Sequence, residues 1–377
     1  MKRKLSLLLV VCTILLCACT ETPAPETVPA TQAPTQAPTQ APTQAPTQPP
    51  TEPPTEPPTE PTFTNPLTGE ITTEEEFDRP FAVIMNNYKS GMPIHGISEA
   101  DIVYEALTEG GMVRCLGIFS DLASVKTLGS IRSARKYFVS LAMSYDAIFV
   151  HYGKSDIPGT DVGAQQYMDQ TGWNHMDGTS HGYPYFYNSE DRKNAGYSLD
   201  AQHFLVGQRA IDYAVDNNFA LTRDHAMNYG LQFAENNVLN GEKAEKVTIW
   251  FNQGGNPGSW HKSTIMTYDA EKGQYLSSQY GEPNIDGNTG EQIAFENVLV
   301  LRAKTQRYAD TKVLIIDLEG EGDGYYACNG QLVPIKWSRP TANDPFTYTL
   351  EDGTPVTLGA GKSYIAIIPT NATIRYE

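Results

Sequence analysis

The chain has 377 residues and carries 44 acidic against 27 basic side chains, for a formal net charge of −17. A phosphate backbone would be repelled on average, so nucleic acid is not an expected partner. Beyond residue 19 only Cys115 and Cys328 remain, a spacing that matches no zinc or redox motif. Buried free thiols are the expectation, with an oxidised pair as the alternative.

The chain opens with a basic stretch, Lys2-Arg3-Lys4, followed by an apolar run from Leu5 to Leu16. That run is too short to span a bilayer comfortably and reads as a cleaved signal. Leu16-Cys17-Ala18-Cys19 resembles a bacterial lipobox. Residues 1–19 are therefore expected to be a lipoprotein signal, with Cys19 carrying the lipid. Two acyl chains such as palmitate, at about 0.8 kcal/mol per buried methylene, suffice for stable anchoring. The expected location is the extracytoplasmic face of the cell membrane, with the membrane itself as the first partner. Residues 20–62 repeat TQAP and then TEPP and offer almost nothing to bury. In an extended polyproline conformation this tether reaches roughly 130 Å. That suits a spacer through a cell wall better than a PxxP ligand.

Roughly 315 residues follow, long for one core and natural for two domains. The expected fold class is α+β. An N-terminal mixed α/β sheet domain (63–235) would precede a mainly-β, barrel- or sandwich-like domain (236–377).

In the first domain, Arg79 to Met85 reads as a buried strand closed by Asn86-Asn87. Asp101 to Leu107 and Met112 to Phe119 read as two more, antiparallel across the short Glu109-Gly110-Gly111 turn. Gly129-Ser130-Ile131-Arg132-Ser133-Ala134-Arg135 follows. From Ser130 or Ser133 onward the apolar spacing predicts a helix with a serine at its start. A helix start bearing two serines and two arginines is a ready anion site. Asp146 to His151 reads as a strand running into Tyr152-Gly153-Lys154-Ser155. Residues 156–200 read as a long loop with short elements, rich in tyrosine, and Ala201 to Asn218 as a helix.

In the second domain, strands are expected at 247–251, 263–268 and 273–276, the last two as a hairpin. GGNPG (254–258) reads as a turn. Further strands are expected at 297–302, 313–318, 333–337, 347–350, 354–358 and 364–368. Residues 319–324 read as a flexible acidic turn before a strand from Tyr325 to Cys328. Asn329-Gly330 signals a type I′ hairpin.

Several stretches carry a family resemblance. They are AVIMNN (82–87), ADIVYEALTEGGMVRCLGIF (100–119), GSIRSARKYF (129–138) and YDAIFVHYGKS (145–155). In the second half they are IDGNTGEQIAFENVLVL (285–301), GEGDGYYACNGQLVPIKW (320–337) and DPFTYTLEDGTPVTLGAGKSYIAI (344–367). With these the chain resembles the YerB-like lipoproteins of Gram-positive bacteria. The resemblance implies two adjoining domains of undetermined function and a lipid anchor, and it brings no catalytic residues. It also implies a proline-histidine-asparagine stretch after the long loop. Here that place reads Ala201-Gln202-His203-Phe204, which keeps only the histidine.

Arg114, Arg132 and Arg135, with Ser130 and Ser133, form the leading anion-binding candidate, because arginine offers a fixed donor fork for phosphate or carboxylate. The competing reading is internal pairing with Asp101, Glu105 or Glu109. His151 and His203, approached by Asp156 or Glu109, are the catalytic candidates for acid–base work. His175, His181 and His203 lack HxH or HExxH spacing, so no metal is expected. No G-x-S-x-G, P-loop or dinucleotide fingerprint occurs, so no cofactor is expected. Gly359 to Ser363 ends in GKS but reads as a turn between strands. The tyrosines of 152–197 suit packing of the loop as well as stacking on sugar or peptide.

The expected function is a surface lipoprotein that binds an envelope component, such as a cell-wall component, or a protein partner through its first domain. The alternative is an envelope enzyme acting on a phosphate-linked or glycan substrate with the arginine cluster and a His–acid pair.

Overall fold

The computed structural model describes residues 62–73, 78–235, 237–253 and 262–377. The signal, Cys19, the tether up to residue 61 and the expected turn at 254–258 lie outside the described residues. Residues 62–377 belong to one compact unit.

In the first part of the fold the strands are β1 (Phe81–Asn86), β2 (Ile102–Leu107), β3 (Val113–Phe119) and the short β4 (Leu128–Gly129). Helix α1 (Lys136–Met143), strand β5 (Ile148–His151), helix α2 (Ala164–Thr171) and strand β6 (His175–Asp177) follow. Then come β7 (Phe186–Asn188), α3 (Glu190–Asn194), β8 (His203–Leu205) and α4 (Gly207–Asp216). The second part is mainly strand: β9 (Lys246–Gln253), β10 (Ser263–Asp269), β11 (Gln274–Gln279), β12 (Asn297–Ala303), β13 (Leu314–Ile316), β14 (Gly320–Cys328), β15 (Gln331–Arg339), β16 (Ser363–Pro369) and β17 (Ala372–Tyr376). The fold is α+β.

One eleven-stranded sheet runs in the order β15-β14-β12-β16-β2-β3-β1-β5-β6, with two short strands completing its β15 end. It joins the two sequence parts: β2 pairs in parallel with β16, Ile102 to Ala106 against Ser363 to Ile367. Its central strands are buried on both faces and read as near-continuous apolar runs. On one face, Tyr104, Leu116, Leu299, Ile365 and Ile367 share a core with Phe138 and Leu141 of α1. On the other, Val298, Val300, Tyr364, Ala366 and Ile368 share a core with Val247, Ile249, Met266 and Tyr275. Alternate residues of β12 and β16 thus serve opposite cores, as the two-residue strand period demands. The second core is closed by a six-stranded sheet built on β11-β10-β9-β17. The second part is therefore sandwich-like, with one of its two layers being the shared sheet.

Two buried carboxylates tie the parts together. Glu105 on β2 accepts hydrogen bonds from Asn87, Thr264 and Tyr364, and it pairs with Lys262. Asp286 accepts from the backbone N–H groups of Gly96 and Ser98 and from the Ser98 hydroxyl.

Three local expectations are corrected. The helix does not start at Ser130 or Ser133: it starts at Lys136 with Arg135 as its extended N-cap residue. Residues 130–134 are instead drawn into the sheet by backbone hydrogen bonds on both sides, described below. The expected helix from Ala201 holds β8 first, and α4 starts only at Gly207. The acidic Gly-rich stretch 320–324 is the first half of β14, paired with β15 from Gly320–Arg339 to Cys328–Gln331. Its glycines leave room for neighbours. A Cβ on Gly322 would sit 2.6 Å from the Trp337 ring, and one on Gly324 2.6 Å from the Val300 carbonyl oxygen. The β14–β15 turn is as expected, with φ of 50° at Asn329 and 72° at Gly330, the type I′ signature.

Candidate functional site

Strands β1, β5 and β6 are parallel, and β2 runs with them, so their carboxyl ends and the start of β3 meet at one edge of the sheet. Ligands of open α/β sheets collect at such an edge. Here β1 and β5 pair only over Phe81–Val83 and Ile148–Val150. Beyond that they splay, and residues 130–134 fill the fork. On the β1 side, Asn86 N–H donates to Ser130 O and Arg132 N–H to Ile84 O, both at 2.9 Å. On the β5 side, Tyr152 N–H donates to Arg132 O at 2.9 Å and Ala134 N–H to Gly153 O at 2.8 Å. Competing for the same N–H groups, these bonds keep the segment extended rather than helical.

The wedge carries Ser130, Arg132 and Ser133, Arg135 follows it as the N-cap of α1, and Arg114 comes from β3. Arg135 grips Glu109 with two parallel bonds of 2.7 and 2.6 Å. Arg132 pairs with Asp200 at 2.7 Å and lies over the Tyr88 ring. Arg114, at the start of β3, donates to the Ser133 carbonyl at 2.5 Å and makes no ion pair among the described residues. Burial, then repulsion from Arg135 and Arg132, pulls its guanidinium down to about 9. Glu109 would be raised by burial, but the Arg135 guanidinium holds it below the usual carboxylate range. The Ser130 hydroxyl and Arg132 Nε are buried without a hydrogen-bond partner. Of the expected internal partners only Glu109 engages an arginine. Asp101 instead accepts from Ser120 and Asn65, and Glu105 is held at the domain junction.

A histidine pair lies alongside. The His151 ring is fully buried and stacks on His175, with centroids 5.1 Å apart. Its Nδ1 lies 2.9 Å from Gly153 O and its Nε2 3.0 Å from His175 Nδ1. A carbonyl only accepts, so the His151 proton is on Nδ1. Its bare Nε2 then accepts the His175 Nδ1 proton, which leaves His175 Nε2 with a lone pair. Burial pushes His151 down to about 4, despite the Asp177 carboxylate 3.7 Å from Nδ1. Asp177 would itself be raised by burial, but the His151 ring, the Lys154 ammonium at 2.5 Å and the N–H groups of Thr179 and Gly153 hold it well below the carboxylate range.

The acid beside His151 is thus Asp177, and neither proposed acid is there: Asp156 accepts from Gln166 and Glu109 from Arg135. His203 lies on β8, stacks face to face on Tyr152 at 3.7 Å and meets Asn188 at 2.8 Å. His181 packs edge-on against Tyr213. Among the described residues no three His, Cys, Asp or Glu side chains converge as metal ligands. Both Cys115 and Cys328 are buried and free. Most loop tyrosines pack inward, while Tyr183 is 92% exposed. Gly359 to Ser363 is a turn whose Lys362 ammonium caps the Ser98 carbonyl.

Sequence reasoning passes over Lys154 and Asp177 as site residues and takes His175 only as a possible metal ligand. The signal was available: His175 to Asp177 is a third short parallel strand, and its carboxyl end lies level with that of β5.

Residues 67–212 match the family model described as the N-terminal domain of a protein of unknown function (DUF3048), and residues 256–365 match the corresponding C-terminal domain. YerB of Bacillus subtilis (strain 168), whose name classes it as a candidate lipoprotein, is 28% identical over 301 residues, covering 77% of this chain and 81% of that protein. The crystal structure of YerB from Bacillus subtilis matches with a TM-score of 0.69 at 26% identity, covering 83% of this chain and 99% of that one.

Proposed function

The chain belongs to the YerB-like family of paired DUF3048 domains, and for it we propose the role of a lipoprotein that captures an anionic envelope component at the arginine-lined fork. Anchoring would be through Cys19, on the extracytoplasmic face, with the Pro-Thr tether as spacer. The observation that carries this reading is Arg114: a buried guanidinium with one carbonyl acceptor, no carboxylate of its own, and two further guanidiniums beside it. Arginines so placed recognise phosphate or carboxylate groups of a cell-wall component or of an envelope protein.

A second reading, an acid–base step on the bound anion, is favoured by the His175 Nε2 lone pair at the same sheet edge. A neutral imidazole supported by a second ring suits general base work.

Thermal unfolding of the full chain with pyrophosphate or a muropeptide tests the first reading. A ligand at one hundred times its Kd adds about 2.7 kcal/mol. The wild type should be stabilised, and Arg114→Gln and the Arg132→Ala/Arg135→Ala pair should not. If neither anion stabilises the wild type, the anion reading falls and a protein partner takes its place. Palmitate labelling that survives Cys19→Ala would remove the anchor assignment.

A further inference from the structure

Along α1, the two parts of the chain line a partly apolar cavity of about 170 Å³. Its walls are Tyr137 and Ser140 of α1, Val162 ahead of α2, and Leu314, Ile316 and Leu318 on and after β13. The two polar groups in this wall are already occupied. The Tyr137 hydroxyl donates to the Leu107 carbonyl at 2.6 Å, and the Ser140 hydroxyl accepts from Arg339 at 2.9 Å. The wall therefore offers no free polar recognition, only an apolar slot. Cavities of roughly 150 Å³ lined by apolar groups take up benzene, so this slot fits one compact aromatic or leucine-sized group.

The rim supplies the polar recognition. It holds Lys136, Asp161, Asp317 and Glu319. Lys136 is paired with Asp161 at 3.5 Å and lies over the Tyr167 ring. Asp317 and Glu319 make no ion pair among the described residues, and both are exposed. An occupant of the slot thus meets two free carboxylates at the mouth and no free cation.

We infer that this cavity is a docking site for a partner peptide that inserts one aromatic side chain flanked by lysine or arginine. The apolar ring fills the slot between α1 and β13, and the flanking cation meets Asp317 and Glu319. The cavity is a different opening from the anion fork, although Tyr137 in its wall neighbours Glu109, Arg135 and Arg114. Its carboxylates select cations, whereas the guanidiniums of the fork select anions.

Methyl NMR of the full chain, titrated with acetyl-Lys-Phe-Lys-amide, tests this. Acetyl-Lys-Ala-Lys-amide and acetyl-Glu-Phe-Glu-amide are the controls. The first peptide should shift the methyls of Leu314, Ile316 and Val162, and the controls should not. Val162→Phe, which fills the slot, should abolish the shifts while thermal unfolding stays cooperative. Leu314→Trp serves the same end if Val162→Phe does not fold. Asp317→Asn with Glu319→Gln should weaken binding about five-fold, as for exposed charge pairs. The inference is overturned if no peptide moves those methyls, if the alanine peptide binds as well as the phenylalanine peptide, or if the slot-filling variant still binds.

Discussion

His151 Nε2 lies 3.0 Å from His175 Nδ1, and the buried ring can only accept there because its own proton is held by the Gly153 carbonyl. The pair therefore has one fixed proton arrangement. Both rings carry the proton on Nδ1, and His175 presents its Nε2 lone pair. Nitrogen-15 shifts of the two imidazoles read this directly. Observation of either ring as the Nε2–H tautomer at neutral pH would remove His175 from consideration as a base.

The same burial makes stability depend on pH. The His151 pKa falls from 6.5 to about 4 on folding. Its contribution is fully present above pH 6.5. As pH drops below 6.5 the unfolded chain takes up a proton that the folded chain refuses, so stability declines until about pH 4. A shift of that size corresponds to about 3 kcal/mol. His95, His175 and His203 are also lowered, each chiefly by burial, and add to the decline. Urea unfolding between pH 7 and 4 should show this loss, and His151→Gln should flatten part of it. An unchanged slope in that variant would mean that His151 is not the group responsible.

The Arg135–Glu109 pair separates a binding fork from a purely structural one. Glu109 competes with any incoming anion for the guanidiniums. Glu109→Gln should lower stability by about 2 kcal/mol, because it leaves a mostly buried cation unpaired. It should also tighten pyrophosphate binding about tenfold by removing the resident negative charge. Calorimetric titration measures both species. Loss of stability with no gain in anion affinity would assign the arginines to internal pairing alone.

Glu105 and Lys262 expose almost no side-chain surface, 1% and 3%. Glu105→Gln leaves a buried ammonium unopposed and should cost about 3–5 kcal/mol. Lys262→Met in the same chain should restore most of that loss. Chemical unfolding of the single and double variants gives the coupling, and additive losses would show that the pair does not act as a unit across the junction.

Gly322 tests the placement of 320–324 in strand β14. An added Cβ meets the Trp337 ring at 2.6 Å, and such overpacking costs about 1–3 kcal/mol. Gly322→Ala should lower the melting temperature, while Glu321→Ala, on an exposed side chain of the same strand, should leave it nearly unchanged. Equal, negligible effects would return the segment to a loose turn.

Much of the element content was readable from local pattern. The apolar runs at 81–86, 102–107, 113–119, 297–303 and 363–369 announce strands because strands buried on both faces leave no polar alternation. Asn329-Gly330 announces its turn because both positions need positive φ. The arginines and His151 stand out as charged or titratable groups at the ends of such runs. What tertiary structure alone decided is where those runs meet. Pairing of β2 with β16 links residues more than 250 positions apart, and nothing in either strand names its partner. The splay of β1 and β5 is likewise non-local. It opens a fork, and the fork's unpaired backbone groups draw residues 130–134 into an extended wedge against their helical spacing. That same event brings Arg114 beside Arg132 and Arg135, and sets Asp177 rather than a sequence neighbour against His151. Local sequence determines which backbone conformations are favourable. The hydrogen-bond demands of a sheet assembled from distant segments determine which of them the chain adopts at the site.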